Sequence, residues 1–142
     1  MKTLVRISLC SLGLLLFAAV LAPISLGQNP PKGDKYARLK YDKAAEVKVI
    51  GVVEEIQEFD CPVTATMGSH VVLRTADATI LVHVAPVKFM KQYGIELKKG
   101  SKISVLGARF KDGDGGDTML AREITSDEIV LQVRTPDGAP LW

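Results

Sequence analysis

The chain has 142 residues, 18 basic and 16 acidic, with 47% hydrophobic and only 6% aromatic side chains. That length fits one small domain behind a leader. The near balance of charge gives no broad electrostatic attraction to nucleic acid.

Residues 1–27 carry Lys2 and Arg6, an apolar run SLGLLLFAAVLA and then small residues in ISLG. This is the three-part pattern of a secretory signal peptide, with cleavage expected after Gly27 and export to the periplasm or medium. The alternative is an uncleaved leader that anchors the protein in the inner membrane, because Leu9 to Leu26 is close to the shortest span that crosses a bilayer. Cys10 lies inside the apolar run and not after a lipobox-like motif, so lipidation is not expected. Without Lys2 and Arg6 the mature chain has 16 basic and 16 acidic residues and is formally neutral. It keeps one cysteine, Cys61, which excludes an intramolecular disulfide.

Residues 28–45, QNPPKGDKYARLKYDKAA, are polar and Pro-rich and read as a linker with a helical turn near its end. Residues 46–142 read as the folded domain. Glu46 to Phe59 has the strand period, with Val47, Val49, Gly51 and Val53 on one face and Ile50, Val52 and Ile56 on the other. A strand apolar on both faces, with Gly51 where it can bend, suits a corner of a small closed barrel. Asp60 to Gly68, with Pro62 and Gly68, reads as a loop.

Ser69 to Val84, SHVVLRTADATILVHV, is the strongest local pattern. Two runs rich in Val, Ile, Leu and Thr flank Ala76-Asp77. A two-residue turn there puts Val71, Leu73, Ile80, Val82 and Val84 on one apolar face, because successive side chains alternate. His70, Val72, Arg74, Thr79, Leu81 and His83 share the other, mixed face, with His70 opposite His83. A three-residue turn shifts the pairing by one residue and separates the two histidines. Pro86 then opens a helix with Phe89, Met90 and Tyr93 as its buried stripe and Gly94 as its terminator. Strands follow at Ser101 to Phe110, Thr118 to Thr125 and Glu128 to Arg134, and the chain closes on TPDGAPLW.

Three strands, a helix and two or three further strands make a mainly β chain. The helix between the third and fourth strands is the OB-fold arrangement. The expectation is therefore a small OB-like β-barrel of five to six strands, with an SH3-like barrel as the alternative.

The segments GVVEEI, GSHVVL, ILVHVAP, LKKGSKISVLG, LAREI and RTPDGAPLW, in that order over residues 47–142, resemble the carboxy-terminal domain of magnetosome proteins of the MamS/MamX type. The chain departs from that pattern at Ala85, where Gly is usual, and at Ser101 and Thr135, where Asp is usual. The resemblance implies an exported OB-like module. It brings over no catalytic residue.

Cys61, His70 and His83 are the candidate metal ligands, since a thiolate with two imidazoles suits copper or zinc. Their spacing matches no established zinc motif. The ligand-free alternative is an opposed pair of partly exposed histidines beside one buried cysteine. Asp112, Asp114 and Asp117 in DGDGGD fail the calcium-loop pattern, because Gly116 stands at a ligand position, and they read as a solvated turn. Arg74, Arg134 and Trp142 are the candidate binding residues: Arg74 on the mixed hairpin face, Arg134 paired with Asp137 or the terminal carboxylate, and Trp142 folded back over one barrel end. The hairpin face offers no aromatic residue for stacking bases, so nucleic acid is not an expected partner. There is no Ser-His-Asp pattern, phosphate loop or acid pair in an apolar setting, so no enzyme is expected.

The expected function is a monomeric, non-catalytic, exported module that binds an unidentified protein or small ligand, with no cofactor. The alternatives are metal binding or redox handling by Cys61, His70 and His83, with copper or zinc, and binding of single-stranded nucleic acid or oligosaccharide in the barrel groove.

Overall fold

The computed structural model describes residues 39–127 and 129–142. The expected leader, Cys10, most of the linker and Glu128 lie outside the described residues. The described elements are a 3-10 turn at Lys43–Ala45, β1 Glu46–Cys61, β2 Thr66–Arg74, β3 Thr79–Pro86, α1 Val87–Gln92, β4 Lys102–Lys111, β5 Asp117–Ser126 and β6 Ile129–Gln132. The strands run β3-β2-β1-β4-β5-β6, and a parallel pairing of Leu81, Val82 and His83 with Thr118, Met119 and Leu120 joins β3 to β5. Five strands thus close an OB-like barrel, with β6 added along the half of β5 that β3 leaves free and the helix between β3 and β4. Among the described residues, no helix is long and apolar enough to cross a membrane.

The long β1 makes closure possible. Its first half pairs with β4 and its second half with β2. At the crossing an added Cβ on Gly51 would lie 2.5 Å from the Arg74 carbonyl oxygen, so the two strands approach closely only because Gly stands there. A bulge between Val53 and Glu55 completes the bend. The two apolar faces of this strand differ in burial: Val53 is buried, whereas Ile50 and Ile56, on the other face, are exposed. The core is formed by Val53, Val71, Leu73, Ile80, Val82, Val84, Ile103, Val105, Met119, Ala121, Ile124 and Val133.

The β2–β3 hairpin has the two-residue turn. Thr75 N–H donates to the Ala78 carbonyl (2.8 Å), Leu73 faces Ile80, and His70 faces His83. The loop expected over residues 60–68 is much shorter, since Cys61 pairs with Thr66 and only Pro62–Ala65 turn. The helix ends as expected, with Gly94 at φ +60° and Ile95 N–H donating to the Met90 carbonyl. Its stripe is Val87 and Met90. Tyr93 is exposed, because the helix has six residues and Tyr93 already lies past its end.

Candidate metal centre

Three neighbouring strands each supply one member of a buried cluster: Cys61 at the end of β1, His70 in β2 and His83 in β3. One potential ligand atom from each lies within 4.8 Å of the others. Their relative exposures are 2%, 0% and 1%, so the ligand-free picture of partly exposed histidines is corrected for both rings. Cys61 Sγ lies 3.3 Å from His83 Nδ1 in a hydrogen bond. The two imidazoles meet edge to face with centroids 4.7 Å apart, and Phe59 stacks on His70 at 3.7 Å with the planes within 6°.

Metal–sulfur and metal–nitrogen bonds of about 2.3 and 2.0–2.1 Å place tetrahedral ligands roughly 3.3–3.6 Å apart. The Cys61–His83 edge therefore already has a metal's bite. The remaining edges, up to 4.8 Å, have to shorten by as much as about 1.2–1.5 Å to reach that spacing. Neither nitrogen of His70 makes a hydrogen bond of good geometry among the described residues. Burial lowers its pKa to about 4, against a small upward pull from the backbone of Gln57 and Gly68. The ring is thus neutral, with a lone pair available, at ordinary pH.

Space for the cluster comes from Gly68. A Cβ there would meet Cys61 Cβ at 2.8 Å, His70 Cε1 at 2.9 Å and Thr64 Oγ1 at 3.1 Å. Thr64 in turn donates its hydroxyl to the carbonyls of Cys61 (3.2 Å) and Thr66 (3.0 Å), which ties the turn to the strand carrying the thiol.

A model of the MamS/MamX magnetosome protein family matches residues 45–131, more than half of the sequence and the whole Cys61, His70 and His83 cluster. The chain belongs to the MamS/MamX magnetosome protein family. A comparison with curated proteins finds no significant match. Among solved structures, two crystal structures of Rim1, a mitochondrial single-stranded DNA binding protein from S. cerevisiae, both of its second crystal form and one of them selenomethionine-labelled, align with TM-scores of 0.39. One is 8% identical, covering 63% of this chain and 96% of Rim1, and the other is 10% identical, covering 66% and 98%. At that similarity neither alignment says what the MamS/MamX chain binds. They also lend no support to the expectation that nucleic acid is not a partner.

The other candidate residues do not form one site. Arg74 is exposed at the far end of the hairpin and pairs with Glu54 (2.6 Å). Arg134 is buried and donates from Nη1 to the Gly138 carbonyl (3.2 Å); Asp137, one of its expected partners, accepts instead from the Thr135 hydroxyl. The guanidinium lies over the Trp142 ring at 4.8 Å and the Tyr41 ring at 5.8 Å. Burial pushes its pKa down, while Tyr41 and Cys61, when ionised, push it back up. Trp142 is half-buried and packs edge-on to Phe89 at the core's margin, with centroids 6.0 Å apart.

Asp112 organises its turn by accepting from the N–H groups of Asp114 and Gly116, and Asp117 pairs with Lys111 and Arg109. This is the solvated hairpin turn expected for DGDGGD.

Sequence reasoning missed Phe59 and Gly68. The first has a readable sign, since Phe59 stands two residues before Cys61 and shares its face.

Proposed function

We propose that this MamS/MamX domain is an exported, non-catalytic metal-binding module for copper or zinc, with Cys61, His70 and His83 as the ligands. The observation that supports it is the convergence of one thiol and two imidazoles, all buried, from three strands onto a single point. An unsatisfied buried polar atom costs about 1–3 kcal/mol. A bound cation gives the His70 ring a well-aligned partner, where the backbone of Gln57 and Gly68 offers only contacts of poor geometry.

The test is the metal content of the mature protein, purified from an exporting host without chelator or metal-affinity tag. About one equivalent of copper or zinc is expected, lost in Cys61→Ala and His70→Ala. Metal-free protein that also fails to bind either ion on titration overturns the reading.

A second reading, binding of a protein or small ligand, is favoured by a cleft of about 850 Å³. It is lined by Phe89, Tyr93, Ile95, Ile129, Leu131 and Leu141 among others. Such binding is indifferent to Cys61→Ala, which separates the two.

A further inference from the structure

We propose that the metal is copper, held by three protein ligands in a trigonal thiolate–imidazole site that carries one electron. This rests on the metal reading above and narrows it. Structural zinc takes four protein ligands, and catalytic zinc takes three with a water in the fourth position. The group found among the described residues has three members, each 2% exposed or less, which suits neither arrangement.

Neighbouring donors are engaged elsewhere. The Thr64 hydroxyl is bonded to two carbonyls, Met119 faces Val82 inside the barrel core, and Met67 is exposed. One thiolate and two imidazoles in a plane, with at most a weak axial contact, is the donor set of electron-transfer copper. The 3.3 Å edge from Cys61 Sγ to His83 Nδ1 identifies Nδ1 as the coordinating nitrogen of that ring.

The atoms balance simply. Copper binding replaces the proton shared by Cys61 and His83 with two metal bonds, so one proton leaves for solvent. The redox step adds one electron to cupric ion, giving cuprous ion, and breaks no bond. The donor is a one-electron metalloprotein carrier, represented in the assay by ferrocyanide.

The surroundings favour the reduced state. Phe59 covers His70, and a dry apolar shell disfavours the more highly charged ion.

The experiment titrates metal-free full-length protein with cupric and zinc ions in parallel, recording absorption and electron paramagnetic resonance. The expected result is one equivalent of copper with an intense visible thiolate-to-copper band. The band bleaches with ferrocyanide, returns with ferricyanide and is absent in Cys61→Ser. Resonance of the wild-type protein showing sulfur and nitrogen ligation supports the same conclusion should that variant not fold. One equivalent of zinc with no thiolate-to-copper band overturns the copper inference and leaves the metal reading standing. Binding of neither ion overturns both.

Discussion

Gly68→Ala tests whether the cluster is packed as described. The added methyl would lie 2.8 Å from Cys61 Cβ and 2.9 Å from His70 Cε1, whereas carbon atoms prefer roughly 3.5–4.0 Å. Separations must therefore open by about 0.6–1.2 Å. Neither neighbour gives easily. Cys61 is fixed by its pairing with Thr66, and His70 is held between the Phe59 ring and His83. Overpacking of this kind costs about 1–3 kcal/mol. At about 4–8 °C per kcal/mol for a domain of this size, the metal-free melting temperature falls by roughly 4–24 °C. Displacing His70 also widens a ligand triangle that already needs to contract, so metal affinity drops by about tenfold or more, which corresponds to 1.4 kcal/mol. Thermal melts of metal-free protein and metal titrations read the two effects separately. A variant with wild-type melting and wild-type affinity would refute the packing, and with it the role given to Gly68.

Other outcomes follow from the same structure. His70 has a folded pKa of about 4, below its unfolded value of 6.5, so the unfolded chain binds the proton first as pH falls. Metal-free protein accordingly loses stability between pH 6.5 and about 4, by on the order of 3 kcal/mol, and little more from this group below that. Urea melts of wild type and His70→Phe across that range should diverge above pH 4. Equal slopes would count against the buried neutral ring. Trp142→Ala strips the ring cover from Arg134 and the edge contact from Phe89. It should lower the melting temperature, and an unchanged curve would indicate a tail that serves a partner instead. Arg74→Ala breaks only an exposed pair with Glu54 and should cost at most about 1 kcal/mol. A larger loss by chemical denaturation would place Arg74 in a site that its position does not suggest.

The barrel was legible because its strands keep period two and its helix falls between the third and fourth. The hairpin was legible down to register, since a two-residue turn at Ala76-Asp77 fixes every pair back to His70. Burial of the histidines was not. Alternation divides a strand into two faces but does not say whether the less apolar one is covered, and the cover here comes from residues such as Phe59 on another strand. Gly68 misled for a related reason. A glycine closing the polar stretch that follows Pro62 reads as loop, yet it stands within β2, and a side chain there would collide with Cys61 and His70. Tyr93 continued the helical stripe on paper and failed because six residues end the helix before it. Arg134 was expected to seek a carboxylate. Its two rings were invisible, since Tyr41 comes from the far end of the domain and packs flat against Gly138, whose φ of +92° only glycine adopts readily.

Ligands drawn from three adjacent strands couple the site to the fold. In the unfolded chain Cys61, His70 and His83 are separated by 8 and 12 intervening residues, with no geometry to hold an ion, so binding favours the folded state alone. A metal held at 100 times its dissociation constant adds about 2.7 kcal/mol, or roughly 11–22 °C in melting temperature. Cys61→Ser should abolish that increment while keeping most of the metal-free stability, because Ser nearly preserves the volume. Metal bound at the surface, by contrast, would leave the increment intact in Cys61→Ser. The size of the increment in wild type, and its loss in this one variant, therefore separates a centre built into the barrel from ions bound elsewhere on the chain.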